Sequence, residues 1–134
     1  MGVFGFFKKR KIGLSNEQKK WNKMWDLWAE NRADTPYAEV MTYQSEVNNG
    51  GHDQYFLNVE QTGDLQAEIS ILESVLSEEL RSNLLTAYDA YQMLADKESD
   101  EEWEAILERC DDVFFKNEEE INRILKAYAA KIEL

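Results

Sequence analysis

The chain has 134 residues, 43% of them hydrophobic and 12% aromatic, with a single proline. This length and composition fit one folded domain with an aromatic-rich core, and they exclude a largely disordered chain. The formal net charge of -12 disfavours direct binding of nucleic acid, whose phosphates would be repelled. No apolar run is long enough to span a membrane, and a lone cysteine, Cys110, excludes an intramolecular disulfide, so we expect a cytoplasmic protein.

The charge is divided unevenly along the chain. Residues 1–32 carry eight basic and three acidic side chains, whereas residues 33–134 carry seven basic and twenty-four acidic ones. Between Arg32 and Arg81 there are ten acidic residues and no basic one. Phosphate-rich ligands are therefore disfavoured in that stretch.

The first thirteen residues form an aromatic and basic segment. It contains Phe4, Phe6 and Phe7, followed by four consecutive basic residues that end at Lys11. This pattern predicts a loosely docked tail at residues 1–13, in front of a single all-helical acidic domain at residues 14–134. The alternative is weak peripheral membrane contact through residues 4–11, because basic residues attract anionic lipid and phenylalanine can insert.

A capping pattern starts the first predicted helix. Ser15 followed by Gln18 is typical of a helix N-terminus, and Trp21, Trp25 and Trp28 then recur at helical spacing. We expect these tryptophans to pack into the core, although the same stripe could form a hot spot for a partner.

The second predicted helix follows a threonine–proline pair. Thr35 would be its N-cap and Pro36 would take the first helical position. We expect it to end at Asn49-Gly50-Gly51, because glycine supplies the left-handed conformation common at helix C-termini. One or two further helical turns are expected over residues 52–59.

Four more helices are predicted from apolar residues at helical spacing, each preceded by a capping signal. No segment alternates apolar and polar residues as a strand would, so the predicted fold class is all-α. Short connections favour a single-domain, irregular bundle of about six helices. The capping residues are Asp64, Ser77, Ser99 with Glu102, and Asn117 with Glu120.

Few residues could support catalysis or bind a metal. His52 and Cys110 are the only soft metal ligands, and no spacing pattern links them. Cys110 lies on an apolar stripe within an acidic helix, where a thiolate is disfavoured. We therefore expect no metal, no cofactor and no catalytic residues.

The densest acidic segment spans residues 96–120, with twelve acidic and three basic side chains. On the fifth predicted helix several acids recur at helical spacing, opposite an apolar stripe, so they form one charged face. Such a row could offer a basic groove a phosphate-like pattern, or it could be an ordinary solvated face. The candidate partner-binding residues are Glu101, Glu104, Glu108, Asp111, Asp112, Glu118, Glu119 and Glu120.

A distinctive motif lies at residues 46–58. Its marked residues are Asn49, Gly50, Gly51, Gln54, Tyr55, Phe56 and Asn58. The segment resembles the DNA-mimic protein family of bacteria. That resemblance implies an all-helical acidic domain that captures a DNA-binding protein, such as a helix-turn-helix transcription factor, in place of DNA. The residue types also have a structural interpretation, in which the glycines turn the chain, the two aromatics pack into the core, and Gln54 and Asn58 satisfy nearby backbone groups.

The predicted function is a non-enzymatic protein-interaction domain, with DNA mimicry as the form that the resemblance implies. Two alternatives stay open. One is an immunity or antitoxin-like protein that neutralises a toxin. The other is an enzyme or small-ligand binder that uses the Asn49-Gly50-Gly51 region together with His52 and Gln54.

Overall fold

The computed structural model describes residues 13–96 and 101–134, and these residues form six helices. The all-α, single-domain prediction is confirmed. The predictions for the tail and for the Ser99 cap lie outside the described residues and stay predictions. The helices are α1 (Asn16–Ala29), α2 (Tyr37–Thr62), α3 (Leu65–Val75), α4 (Glu78–Asp96), α5 (Glu101–Lys116) and α6 (Glu118–Ala130).

Three of the predicted helix caps are confirmed. The Ser15 hydroxyl accepts a hydrogen bond from the Gln18 backbone N–H at 3.0 Å, and the Asp64 carboxylate accepts from the Ala67 N–H at 3.1 Å. Ser77 caps α4 in the same way, at 3.3 Å. Each such bond satisfies a backbone donor that the helix itself leaves free and contributes about 1 kcal/mol.

Two other predicted caps are wrong, because the side chains bond elsewhere. Helix α2 begins at Tyr37, and the Thr35 hydroxyl donates to the Glu39 carboxylate instead of accepting from the backbone. Asn117 precedes α6 but makes no capping bond. Its side-chain amide donates backward to the Val113 carbonyl at 2.8 Å, which ties the end of α5 to the start of α6.

Helix α2 is sharply kinked at its glycine pair. Gly50 has φ -155° and ψ 18°, and Gly51 has φ 80° and ψ -179°, so neither residue is helical. The predicted interruption at this point is confirmed. The second segment of α2 then runs to Thr62, which is longer than the one or two turns expected from the sequence.

Helix α2 contacts α3, α4, α5 and α6, and it contributes three of the four largest fully buried side chains. Tyr43, Tyr55 and Phe56 are fully buried, and Phe114 of α5 packs edge-on against Tyr43. On α1 the core position is taken by Met24. The prediction for the tryptophan stripe is confirmed only in part, because all three indoles pack against the core but remain partly exposed.

Helices α1 and α6 pack together at one side of the bundle, while α5 packs along α4 and against α2. Two lysines of α1 bond to backbone carbonyls at the end of α6 and just after it. Lys20 donates to the Ala130 carbonyl at 3.1 Å, and Lys23 donates to the Glu133 carbonyl at 2.6 Å. A positive charge at a helix C-terminus is favourable because the last carbonyls carry a partial negative charge.

Candidate functional site

The kink at Gly51 depends on the absence of a side chain. Its φ of 80° combined with an extended ψ is a conformation essentially restricted to glycine. A Cβ atom added there would also lie 2.5 Å from Oδ2 of Asp111. Gly51 therefore permits both the turn and the close approach of a carboxylate from α5.

A polar clasp spans the kink. Glu46, which precedes the glycines, accepts hydrogen bonds from the side-chain amides of Gln54 at 2.7 Å and Asn58 at 2.9 Å. The expectation that these two amides satisfy backbone groups is therefore wrong, since Glu46 is the acceptor. The missing Cβ of Gly50 makes room for the Gln54 side chain. The clasp holds the two segments of α2 at a fixed angle.

His52, the only histidine of the chain, is completely buried beside the kink. Its Nδ1 lies 2.7 Å from Oδ1 of Asp111, and its backbone N–H donates to the same oxygen at 2.8 Å. Its Nε2 lies 2.7 Å from the hydroxyl of Tyr43. Asp111 therefore supplies the cap that the second segment of α2 requires at its N-terminus, from a different helix.

The proton positions in this network follow from its partners. Burial, reinforced by the charges of Cys110 and Asp111, raises the pKa of Tyr43 well above its usual value, so the phenol keeps its proton. Nδ1 carries a proton, because its partner Oδ1 of Asp111 is an acceptor, and Nε2 pairs with the Tyr43 hydroxyl. Both ring nitrogens are thus engaged, and neither is free to bind a metal or to act on a substrate.

Several predicted acidic residues are exposed on one face of α5. Glu101, Glu104, Glu108 and Asp112 are all exposed, and none forms an ion pair within the described part of the chain. At 100° per residue they fall within an arc of about 80°, so they form a single stripe along the helix. Phe115, 46% exposed, continues this stripe toward the end of the helix.

The remaining candidate acids differ in their surroundings. The side chain of Asp111 is only 24% exposed, because it turns toward His52. Glu118 accepts hydrogen bonds from Gln44 at 3.0 Å and Asn48 at 2.7 Å. Glu119 is exposed, whereas Glu120 is partly buried and its Oε2 has no hydrogen-bond partner. The structure therefore places four of the eight candidate acids in the α5 stripe and the other four outside it.

Cys110 is buried beside this network, as the sequence predicts. Burial, and to a lesser degree the charge of Asp111, raises the pKa of its thiol to about 11, although Arg109 acts in the opposite direction. Because the thiolate is the reactive form, we expect Cys110 to be alkylated far more slowly in the folded protein than in urea. Iodoacetamide labelling followed by mass spectrometry measures the difference, and equal rates would contradict the assignment.

Open grooves lie away from His52. Three of them, of about 700, 450 and 400 Å³, are lined mainly by residues of α1, of α6 and of the segments that follow these helices. Within residues 13–96 and 101–134 there is no group of three or more His, Cys, Asp or Glu side chains that could hold a metal ion. No helix in those ranges is long and apolar enough to cross a membrane.

Comparison with known proteins gives one match, and it covers both the motif at residues 46–58 and α5. The family model described as DMP19-like protein matches residues 29–132, a span that includes the kink, His52 and the acidic stripe. No curated protein and no solved structure matches the chain. The matched span covers more than half of the sequence. The chain therefore belongs to the DMP19-like protein family, the family of DNA mimics that its motif at residues 46–58 resembles.

Proposed function

We propose that this protein is a non-enzymatic DNA mimic, whose acidic stripe on α5 binds the DNA-reading surface of a DNA-binding protein such as a helix-turn-helix transcription factor. Family membership supports the general type of function. The observation that favours α5 as the binding surface is its row of four exposed carboxylates, at Glu101, Glu104, Glu108 and Asp112, without ion-pair partners among the described residues.

The spacing of the stripe suits a surface that normally binds phosphates. From Glu101 to Asp112 the helix rises about 16 Å, at 1.5 Å per residue. Neighbouring side chains of one helix face are about 5 to 6 Å apart, which is comparable with one or two phosphate steps along a DNA strand. A basic groove shaped for a phosphate backbone would therefore meet several negative charges in succession.

The internal contacts of α5 fix the direction in which the stripe points. Leu107, Cys110 and Phe114 are buried on one side of α5, so the stripe of exposed carboxylates points away from the core. Asp111 lies between these two sides and is bonded to His52. Because these carboxylates lie on a rigid helix, little conformational entropy is lost when a partner binds. The same number of acidic residues on a flexible tail would lose more conformational entropy, because the tail would have to become ordered on binding.

The test has two stages. Affinity capture from the native cytoplasm at low salt should retain a DNA-binding protein that is released at high salt, because exposed charge pairs are screened by ions. The captured protein, bound to labelled DNA, is then titrated with this protein. We expect the DNA to be displaced, which fluorescence anisotropy measures directly.

A charge-matched pair of variants locates the binding surface. The variant with Glu101→Gln, Glu104→Gln and Glu108→Gln should bind the captured protein about tenfold more weakly, since exposed charge pairs contribute about 0.2 to 1 kcal/mol each. The control carries Glu17→Gln, Asp26→Asn and Glu133→Gln, which remove three exposed charges elsewhere. Its affinity should stay near that of the wild type. Equal losses in both variants would show that net charge, and not the α5 stripe, governs binding.

Other outcomes of these experiments would favour the two alternative functions, an immunity or antitoxin protein and an enzyme or small-ligand binder. A partner that remains bound to DNA while it binds this protein would contradict mimicry. Capture of a toxic enzyme, with binding insensitive to salt and to the three α5 substitutions, would support an immunity or antitoxin role. An enzyme acting through His52 would require the buried kink to open, because the imidazole is 0% exposed.

A further inference from the structure

Phe115 is an exposed aromatic side chain within the acidic surface of α5. It is 46% exposed, and it alone is exposed among the aromatic residues of the described ranges, 13–96 and 101–134. At 100° per residue its position falls inside the arc of about 80° that holds the exposed carboxylates of the stripe. The stripe therefore combines four carboxylates with one apolar ring.

The surroundings of Phe115 hold its ring in place. Phe114, which is fully buried, packs edge-on against it, with the two ring centroids 5.5 Å apart. Asp111, four positions before it, and Glu118, three positions after it, both accept hydrogen bonds from side chains of α2. Because the chain on both sides of Phe115 is bonded to α2, the ring is presented in a fixed position and loses little freedom when a partner covers it.

A row of carboxylates alone distinguishes poorly between one basic surface and another. In a protein–DNA complex the phosphate contacts position the protein and carry no sequence information, while contacts to the base edges provide the specificity. Some of the base contacts are apolar, between a side chain such as alanine or the methyl group of threonine and the methyl group of thymine. A protein surface that replaces DNA can reproduce such a contact only if it carries an apolar group among its charges.

We propose that Phe115 is this group: it packs against an apolar side chain on the DNA-reading surface of the partner and selects that partner from other basic proteins. The inference rests on the proposed function and deepens it, because it names the type of side chain that the partner carries between its basic residues. Aromatic rings provide a large contact area with few rotatable bonds, and they are frequent among the residues that dominate binding energy.

The charges around the ring disfavour two other occupants. An anionic membrane would repel the carboxylates of the stripe. A second copy of the chain, docked through the same face, would bring two acidic stripes together. The occupant that fits is a surface that is basic around an apolar side chain.

The test uses two synthetic helical peptides as probes. Both are rich in alanine and carry a row of lysines along one face, and they differ in one central residue of that face, which is leucine in one peptide and alanine in the other. Their binding to the full chain is measured by fluorescence anisotropy over a series of salt concentrations. Because about half of the Phe115 side chain remains to be covered, we expect the wild type to bind the leucine peptide about fivefold more tightly. Both affinities should fall with added salt while their ratio stays constant, since ions screen only the lysine contacts.

Single substitutions assign the leucine preference to one side chain. Phe115→Ala should bind the two peptides equally, whereas Phe115→Leu, which keeps an apolar side chain, should retain most of the preference. Leu57→Ala is the matched control, because Leu57 is 45% exposed but lies on α2, and it should bind both peptides as the wild type does. Thermal unfolding should show that all three variants keep the fold, since the substituted positions are exposed.

The outcomes separate this proposal from the proposed function. The variant with Glu101→Gln, Glu104→Gln and Glu108→Gln should bind both peptides more weakly and keep the leucine preference. If it bound them as the wild type does, the stripe would not be the binding surface and both proposals would fail. Equal binding of the two peptides by the wild type, or a preference that persists in Phe115→Ala, would overturn the role of Phe115 and leave the role of the carboxylates intact.

Discussion

Replacing Gly51 with alanine is expected to destabilise the protein by at least about 3 kcal/mol. The backbone of Gly51 has φ 80° and ψ -179°, a combination that costs a residue with a Cβ of order 1 to 3 kcal/mol. The added Cβ would also lie 2.5 Å from Oδ2 of Asp111. That carboxylate cannot move away freely, because its other oxygen accepts two hydrogen bonds from His52. Urea unfolding measured by tryptophan fluorescence gives the change in free energy.

Gly63→Ala is the matched control for this substitution. Its added Cβ would meet only the Val59 carbonyl, at an ordinary 3.8 Å, and its φ of -164° is extended. We expect a change of less than about 1 kcal/mol. A double variant of Gly51→Ala with Asp111→Ala should cost less than the sum of the two single changes, because removing the carboxylate relieves the clash. Equal costs for the two glycine substitutions would contradict the assigned role of Gly51.

Removing the Asp111 carboxylate should have the second-largest effect on stability. Asp111→Ala leaves two buried donors of His52 without an acceptor, the backbone N–H and Nδ1–H. Each unpaired buried donor costs about 1 to 3 kcal/mol, and partial access of water to this position reduces the penalty. We therefore expect the free energy of unfolding to fall by about 2 to 4 kcal/mol, measured by urea denaturation.

The neighbouring residue provides the control. Asp112 is also acidic and on α5, but it is exposed and bonds to no other described side chain, so Asp112→Ala should change stability by less than about 0.5 kcal/mol. Asp112→Ala is instead expected to weaken partner binding. If Asp111→Ala left stability unchanged but abolished binding, Asp111 would belong to the binding surface and not to the kink.

Local patterns in the sequence predicted much of the fold. The caps at Ser15, Asp64 and Ser77 are confirmed because each depends only on residues three positions apart. The break at Gly50 and Gly51 was predictable for the same reason, since backbone conformation is a local property of glycine. Thr35 and Asn117 fit the capping pattern equally well, but competing partners nearby took their hydrogen bonds.

The candidate site could be predicted only in part, because its decisive contacts join distant residues. His52 and Asp111 are 59 positions apart, and Glu118 meets Gln44 across 74. Helical spacing correctly placed Glu101, Glu104 and Glu108 on one exposed face. It also assigned Asp111 to that face, since the angular position of a residue does not reveal which neighbouring helix offers a donor. The clue in the sequence was a lone histidine directly after two glycines.

The lysine contacts of α1 with Ala130 and Glu133 join two segments that are far apart in sequence. Ser15 and Asn16, at the start of α1, line the same groove as Ala129 and Ala130, at the end of α6, so these two parts of the chain lie on the same side of the bundle. Helix α5 packs instead along α4 and α2. A short peptide could therefore join residue 15 to the residues after α6 in a circularly permuted domain with its new termini elsewhere.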